Sequence, residues 1–540
     1  MSFPGEAAHE HSSFGPAAKE PVPDRKGDSR KESERTVPPE RHVVTSRVIR
    51  NLAAGALGRV AIAAISLITI PFTIRIFGAE RYGIVGLAST FLALSSVLDL
   101  GVAPTMNREL ARLSGLAGSA QTVRDLLRTF ETIVWTVAAV IAGAAFLAAP
   151  FLISWFNDTH IATEHVRNSL ILLGCSVAVQ FPVSLYSGGL IGLQEQVWLN
   201  AVNVVAVGAR SVGGILIIWL VSPTMEAYLL WQIFIPACQT LVLGALLRRH
   251  LPAAPKPPRF RLDLIKNLWT MAVGMSGTSI LMVMTAQGDK VILSHILPLE
   301  QFGYYMIAWS IAARLGLLTD PVVDSIYPHM TEIASRNSAG LGQAYRTGVQ
   351  MMAMVALPIT LTIALFAGDV SAVWTIGAPY ADQVAILLTP LILGVAFVQL
   401  MDIPMALQWA SGRSRPIFLA KLLGMVLLVP GVGIVSAYYG VAAGAWVWPL
   451  VNGLLLVGTL PFIHGIIFQA EQWWWWRDVL MAGMAVLAAL LLGWLLGPME
   501  LGIIERLFRL GLVGLLATIA GVASVPAGRA TIMRLARRQI

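Results

Sequence analysis

Three arginines lie inside long apolar segments of the chain, where a permanent charge is costly. Arg59 falls within GALGRVAIAAISLITIPFTI, and Arg210 and Arg314 lie near the middle of two further apolar segments. A charge at the centre of a membrane-spanning helix costs about 2.5 to 3.5 kcal/mol on insertion scales, so it usually faces a cavity or a partner. The planar guanidinium also stays charged in a poor solvent and forms bidentate hydrogen bonds to anions. These arginines are therefore candidate ligands of an anionic group.

Each of the three arginines has an alternative interpretation. Arg59 lies roughly 10 Å into its segment at 1.5 Å per residue, so its side chain could instead extend to the nearer headgroups. Arg210 and Arg314 lie deeper, at about twelve and eleven residues into their segments, where the headgroups are hard to reach. Their alternative is a structural ion pair with an acidic residue of a neighbouring helix.

Four carboxylates in the apolar segments are candidates for ion coupling or for neutralising these arginines: Asp99, Asp320, Asp324 and Asp402. Asp320 and Asp324 are four residues apart and share one face of a helix. Two carboxylates that close can share a proton, which suits proton coupling. The competing interpretation is that each aspartate is the counter-ion of an arginine on another helix.

Three further charged residues rank lower as site candidates: Asp289, Lys290 and Lys421. They lie close to the predicted ends of their helices. A lysine in that position is expected to anchor the helix at the membrane interface.

The amino-acid composition indicates that these charged residues belong to a membrane protein. Of the 540 residues, 56% are hydrophobic and only 13% are charged, with a mean hydropathy of +0.71, whereas a soluble domain carries roughly 25% charged residues. A spanning helix needs about 20 apolar residues, and apolar runs of that length recur between residues 52 and 525. We predict an all-α polytopic membrane protein with about 14 transmembrane helices.

The distribution of charge limits orientation and function. Lys and Arg concentrate in the connections on the side of the N-terminus, which predicts that both termini are cytoplasmic. The basic residues do not cluster in a soluble domain, so nucleic acid is not an expected partner. The sequence contains no phosphate-binding loop, serine elbow or zinc-helix motif, and its external connections are short. We therefore expect no enzyme, cofactor or metal site.

Two long stretches of the chain repeat each other. The segment NLAAGALGRV from Asn51 aligns with NLWTMAVGMS from Asn267, and FGAERYGIVG then aligns with LPLEQFGYYM. Six predicted helices separate the copies, so we predict parallel repeats related by an axis along the membrane normal. The corresponding residues are Glu80, Tyr82 and Gly83 in the first copy and Glu300, Phe302 and Gly303 in the second.

These features divide the chain into five predicted parts. Residues 1–45 are rich in Pro, Ser, Glu and Lys and are predicted to form a disordered cytoplasmic tail. Residues 46–250 and 267–470 are predicted to form two six-helix bundles, and residues 251–266 the cytoplasmic linker between them. Residues 471–540 contain predicted helices 13 and 14 and a basic cytoplasmic tail.

Three stretches carry a family resemblance. The sequence from NLAAGALGRV to LSSVLDLG resembles the opening helix pair of polysaccharide-export (Wzx-type) flippases for lipid-linked oligosaccharides. GDKVILSHILPLEQFGYY and GAPYADQVAILLTPLILG look like the corresponding segments of their second half. The chain is thus similar, over roughly residues 50–470, to the multidrug, oligosaccharidyl-lipid and polysaccharide exporter superfamily.

The resemblance implies a fold and a function. It implies two six-helix bundles around a central cavity that opens alternately to each side of the bacterial inner membrane. The cargo would be a polyprenyl-diphosphate-linked oligosaccharide, with Arg59, Arg210 and Arg314 around its diphosphate. Helices 13 and 14 would either hold the polyprenyl tail or only pad the bundle. Expected partners are this lipid, membrane lipid, and glycan polymerase and export machinery.

Two other kinds of transporter fit the same superfamily. A cation-coupled multidrug exporter usually has twelve helices and a cavity poorer in arginine, so fourteen helices and deep arginines favour the oligosaccharide flippase. A flippase for the lipid precursor of peptidoglycan would share the diphosphate chemistry. A membrane-bound glycan polymerase or ligase predicts a large external loop, which the sequence lacks.

Overall fold

The computed structural model describes residues 40–98, 101–114, 116, 118–153, 163–222, 224–336, 340–413, 415–468, 473–495, 502–530 and 533. By its internal contacts the chain divides into residues 1–50 and residues 51–540. The described part of the first unit, residues 40–50, is helical. All packing and site geometry below belongs to the second unit.

The regular elements of the described residues are α-helices. In chain order they are α1 (Glu40–Leu98), α2 (Val102–Ser114), α3 (Ala120–Ile153), α4 (Thr163–Gln180), α5 (Pro182–Gly192), α6 (Gln196–Leu220), α7 (Met225–His250), α8 (Leu262–Ile296), α9 (Leu299–Ala312), α10 (Leu315–Ser335), α11 (Leu341–Leu365), α12 (Ala367–Trp374), α13 (Ala381–Ala410), α14 (Arg415–Tyr439), α15 (Val441–Ala445), α16 (Val447–Phe468), α17 (Trp473–Trp494) and α18 (Ile503–Ser524).

Twelve segments of the described residues are long and apolar enough to cross a membrane. This finding confirms the all-α polytopic architecture, whereas the number of fourteen spans stays a prediction. The first two spans predicted from the sequence, near residues 52–76 and 83–105, fall largely within one of these segments, Leu57–Ser95. No loop separates them, because α1 continues through a kink at Gly78, where φ is 71°. Glycine adopts this positive φ without a steric penalty.

The helices pack in two groups. In the N-terminal group, α1 to α7, the main contacts join α3 with α4, α2 with α5, α4 with α7, and α6 with α7. In the C-terminal group, α8 to α16, they join α8 with α14, α11 with α13, and α13 with α16. Helices α17 and α18 pack on each other and on α11, so they belong with the C-terminal group.

The connection between α7 and α8 is fixed to the N-terminal group by its backbone. Three side chains spaced four residues apart on α3 accept hydrogen bonds from backbone N–H groups of this connection, at 2.9–3.2 Å. The pairs are Gln121 with Lys256, Asp125 with Arg259, and Thr129 with Arg261. These hydrogen bonds give partners to backbone N–H groups that have none within a helix.

A buried carboxylate fastens α17 to α11. Asp478, whose side chain is 3% exposed, accepts two hydrogen bonds from Arg346, at 2.8 and 3.2 Å, and one from Gln350 at 2.6 Å. Arg477 adds a contact of 3.2 Å. The next helix is tied in the same way, because Asp369 of α12 pairs with Arg506 of α18 at 2.8 Å.

Removal of the Asp478 carboxylate should measurably destabilise the protein. Breaking a buried ion pair costs about 3–5 kcal/mol, and we expect about 2–3 kcal/mol for Asp478→Ala because Arg346 is 28% exposed. The measurement is thermal unfolding of the detergent-purified protein. Glu332→Ala is the control, since it breaks an exposed ion pair with Arg336 and should cost about 0–1 kcal/mol. Equal unfolding temperatures for the two variants would contradict this assignment.

Candidate functional site

A cavity of about 340 Å³ lies between the N-terminal and C-terminal groups. Its walls come from α1, α4, α6 and α7 on one side and from α9 and the two residues after it on the other. Among the described residues, no aspartate or glutamate lines it. Its polar and aromatic lining consists of Ser66, Thr69, Thr73, Tyr82, Ser89, Ser176, Gln180, Arg210, Ser211, Tyr228, Gln232, Trp309, Ser310 and Arg314.

The structure brings Arg210 and Arg314 into this one cavity from opposite groups. Arg210 lies in the middle of α6, and its Nη1 donates to the amide oxygen of Gln180 at 3.3 Å. Arg314 lies at the junction of α9 and α10, and its buried Nε has no hydrogen-bond partner within the described structure. Such an orphaned donor is unusual in a folded protein.

Among the described residues, no neighbouring side chain neutralises the charge of the two arginines. Within the described residues, neither guanidinium lies within 4.0 Å of a carboxylate. The alternative of a structural ion pair for Arg210 and Arg314 therefore has no support in the described residues. A cavity lined by two cations and by no described carboxylate favours an anionic ligand, since desolvated cations need partners.

The two groups meet closely on one side of the cavity, at a glycine crossing formed by Gly83 of α1 and Gly303 of α9. A Cβ atom on Gly83 would lie 3.1 Å from the carbonyl oxygen of Leu299, and one on Gly303 only 2.0 Å from that of Ala79. Small residues allow this close approach of two helix backbones. The crossing, together with the packed core around it, closes this side of the cavity.

The contacts of the glycine crossing are reciprocal. Gly83 approaches Leu299 while Gly303 approaches Ala79, and the partners in each equivalent pair, Ala79 with Leu299 and Gly83 with Gly303, are 220 residues apart. A two-fold axis produces contacts of this form. The geometry agrees with the predicted correspondence of Gly83 and Gly303, while the internal repeat as a whole stays a prediction.

On the opposite side of the cavity the groups are joined by an exposed ion pair. Arg59 of α1 contacts Asp324 of α10 with Nη1 to Oδ2 at 2.6 Å, and the side chains are 65% and 54% exposed. Arg59 does not line the cavity. It lies seven residues before Ser66, the first cavity residue of α1, which is roughly 10 Å along the helix. Asp324 is thus the counter-ion of an arginine on another helix, and Asp320 lies one turn before it.

Of the remaining acidic and basic candidates, those among the described residues do not line the cavity. Asp99 falls outside the described residues. Asp402 is in electrostatic range of Lys421, and Lys421 lines a second cavity, of about 290 Å³, inside the C-terminal group. The expectation that Lys421 anchors a helix at the interface does not agree with this internal position.

The expectation for Lys290 and Asp289 was wrong. Both side chains are fully buried and form an ion pair of 2.9 Å, so Lys290 is not an interfacial anchor. The physical reason is the length of α8. The helix continues to Ile296, because the residues after Lys290 are again mostly apolar, and this places the pair inside the protein.

Several cavity residues were not identified from the sequence. The amides of Gln180 and Gln232 carried a usable signal, because polar side chains within apolar helices usually face other helices or a cavity. The aromatic residues Tyr82, Tyr228 and Trp309 carried none, since aromatic side chains are also ordinary core residues. Only the close approach of α1, α7 and α9 reveals them.

Comparison with known proteins identifies a family and a relative that match more than half of the chain. The sequence model of the family described as "Polysaccharide biosynthesis protein" matches residues 48–334. A Shigella flexneri protein provisionally assigned as an O-antigen transporter is 20% identical over 411 residues, which cover 75% of this chain and 94% of that protein.

Solved structures share the fold at low sequence identity. The lipid II flippase MurJ in its inward closed conformation superposes with a TM-score of 0.67 at 12% identity, over 87% of this chain and 98% of MurJ. An inward-facing multidrug resistance transporter of the MATE family gives a TM-score of 0.60 at 14% identity, over 77% of this chain and all of that one. At this identity the likeness shows the fold alone.

Proposed function

The chain belongs to the polysaccharide biosynthesis protein family, and from this premise we propose that it flips a polyprenyl-diphosphate-linked oligosaccharide across the bacterial inner membrane. The lipid would move from the cytoplasmic to the outer leaflet for exopolysaccharide, capsule or O-antigen synthesis. Its relatives are transporters rather than enzymes. Both termini would be cytoplasmic, and glycan polymerase and export machinery would act on the flipped lipid.

One observation carries this proposal: Arg210 and Arg314 face the same cavity without an acidic neighbour among the described residues. A diphosphate diester carries two negative charges, which two guanidinium groups can match in number. Bidentate hydrogen bonds from arginine to phosphate oxygens are short and strong. The buried, unpaired Nε of Arg314 would gain a partner when the diphosphate binds.

The hydroxyl and amide lining of the cavity suits the glycan. Each unpaired polar group in hydrocarbon costs several kcal/mol, so an oligosaccharide needs a polar route through the membrane. Seven Ser and Thr side chains and two glutamines supply hydrogen-bond partners along the cavity wall. The lipid part of the substrate needs no such route.

The polyprenyl tail would remain in or beside the protein's apolar surface. A mainly apolar groove of about 690 Å³ lies between α10, α11 and α18, with Val322, Met351, Met354 and Val522 among its lining residues. This groove supports the interpretation that α18 holds the tail rather than only pads the bundle, whereas no described residue of α17 lines it.

Alternating access would use the different contacts on the two sides of the cavity. With the N-terminus in the cytoplasm, the glycine crossing is the outer closure and the Arg59–Asp324 pair lies at the cytoplasmic side. An exposed ion pair contributes only about 0–1 kcal/mol, so little energy opposes its separation. We propose that it holds the groups in register and yields when the headgroup enters.

Charge reversal tests the role of the Arg59–Asp324 pair. Arg59→Asp or Asp324→Arg alone places like charges together, and each should lower transport about three- to tenfold by disturbing the closure, a cost of about 1 kcal/mol. The double reversal should restore most of the rate in a proteoliposome assay. If the double variant is as slow as the singles, Arg59 acts instead by binding the substrate directly.

Two alternatives remain as outcomes of the functional test. An exporter of organic cations is disfavoured by a cavity with two arginines and no described carboxylate. A flippase for the lipid precursor of peptidoglycan shares the diphosphate chemistry and differs in the glycan.

The test of the proposed function uses the full chain in proteoliposomes. The lipid-linked oligosaccharide extracted from producing cells is added to one leaflet, and its exposure on the other is followed with an impermeant glycosidase. We expect this lipid to flip faster than peptidoglycan precursor, with no accumulation of an organic cation dye. Dye transport without oligosaccharide flipping, or faster flipping of the peptidoglycan precursor, would overturn the proposal.

A further inference from the structure

A completely buried ion pair lies behind the wall of the central cavity. The side chains of Asp289 and Lys290, both on α8, have no exposed surface. Lys290 Nζ donates to Asp289 at 2.9 Å and to the carbonyl oxygen of Ala286 at 2.7 Å. Asp289 also accepts hydrogen bonds from Tyr305 Oη at 2.5 Å and from Trp448 Nε1 at 3.1 Å. The charges are thus fully enclosed and well partnered.

The ammonium group of this pair lies directly against an indole ring. Lys290 Nζ is 3.4 Å from the ring centroid of Trp309 and 5.2 Å from that of Trp448. The two indoles are themselves in contact, with centroids 4.9 Å apart. A desolvated cation over a tryptophan face is attracted to the negative face of the ring. Trp309 is therefore held from behind by both a cation and a second ring.

Trp309 is also a wall residue of the central cavity. It lines that cavity next to Ser310, and Arg314 lies five residues further along the chain. Trp309 is partly exposed and also lines the second cavity, inside the C-terminal group, so the indole is shared between the buried network and both cavities. Among the described residues that line the central cavity, Trp309 is the single tryptophan.

Stability alone does not account for the buried pair. A buried ion pair is often no more stabilising than apolar residues of the same volume, because desolvation offsets the attraction. What the pair does provide is a fixed position for the indole, since Lys290 is tied to backbone, carboxylate and ring at once. A fixed side chain binds a ligand with a smaller loss of conformational entropy.

We propose that Trp309 is a stacking site for a sugar ring of the oligosaccharide and that Asp289 and Lys290 are its positioning residues. The inference rests on the proposed function and adds a glycan subsite to the arginine site. A pyranose ring has an apolar face of C–H groups and a rim of hydroxyls. The face would pack on the indole, while the rim would meet hydroxyls such as Ser310.

The inference predicts a selective effect on glycan recognition. The measurement is binding of two probes by the full-length protein in nanodiscs: lipid-linked oligosaccharide extracted from producing cells, and bare polyprenyl diphosphate. We expect Trp309→Ala to weaken the first about tenfold, or ~1.4 kcal/mol, with little change for the second. Trp309→Tyr keeps an aromatic face and should retain most of the preference.

The positioning residues are tested by the neutral pair Asp289→Asn with Lys290→Met, which leaves no unpaired buried charge. This variant should lose the same preference, and combining it with Trp309→Ala should add nothing further, as expected for residues that act as one unit. The double replacement Glu332→Gln with Arg336→Met is the control, because it removes an exposed ion pair at the end of α10 and should leave the preference intact.

Three results would overturn the inference. Equal weakening of both probes by the neutral pair shows a purely structural role, and additive losses in the combined variant show that the pair does not act through Trp309. If the wild-type protein binds neither probe, the proposed function itself fails. Intact glycan preference in Trp309→Ala removes the stacking site but leaves the arginine site standing.

Discussion

Replacing both Arg210 and Arg314 by alanine is expected to abolish flipping of the lipid-linked oligosaccharide. Hydrogen bonds to charged groups contribute about 1.5–3 kcal/mol each, so each single variant should lose about ten- to a hundredfold. The double variant should fall to background in the proteoliposome assay. Cells that depend on this protein for export should then lack surface polysaccharide.

The controls separate charge, geometry and folding. Conversion of both residues to lysine keeps the charge but loses the planar fork, and should give an intermediate rate. Arg336→Ala removes an arginine from an exposed ion pair and should transport normally. Flipping at the wild-type rate by the double alanine variant, at equal protein level, would refute the role of the two guanidinium groups.

Gly303→Ala is expected to impair transport by preventing closure of the glycine crossing. The added methyl group would lie 2.0 Å from the carbonyl oxygen of Ala79, and because the obstacle is backbone, the helices must separate. Overpacking of this kind costs about 1–3 kcal/mol, which shifts the balance between closed and open states by about five- to a hundredfold. Transport should fall in proportion.

The readout for this variant is access to the cavity. A cysteine introduced by Ser310→Cys, after replacement of Cys175 and Cys238, should react faster with an impermeant maleimide from outside when Gly303 is alanine. Gly458→Ala is the matched control, because a Cβ at that helical position meets no atom within 4 Å. Unchanged labelling and transport in Gly303→Ala would show that the crossing does not form the outer closure.

The architecture could be predicted from the sequence because long apolar runs have few alternatives to spanning a membrane. The kink at Gly78 could not, since a glycine between two apolar runs is compatible with either a loop or a bent continuous helix. The end of α8 was misplaced for a related reason. Apolar residues on both sides of Asp289 and Lys290 left no local sign of where the helix stops.

The candidate site was only partly accessible from the sequence. Their depth within apolar segments identified Arg210 and Arg314 as candidate ligands of an anionic group. The structure places both in one cavity, while their role in binding stays a proposal. Arg59 shows the limit of this reasoning, because depth alone does not reveal that α10 presents Asp324 to it. The location of Trp309 beside Lys290 depends on packing between α8 and α9, which no spacing in the sequence encodes.

The most direct test is an experimental structure of the full-length protein in nanodiscs with the extracted lipid-linked oligosaccharide bound. The account predicts diphosphate density within hydrogen-bonding distance of both Arg210 and Arg314, between the two helix groups. A headgroup bound on the lipid-facing surface, with both guanidinium groups turned away from it or paired with carboxylates, would contradict the account.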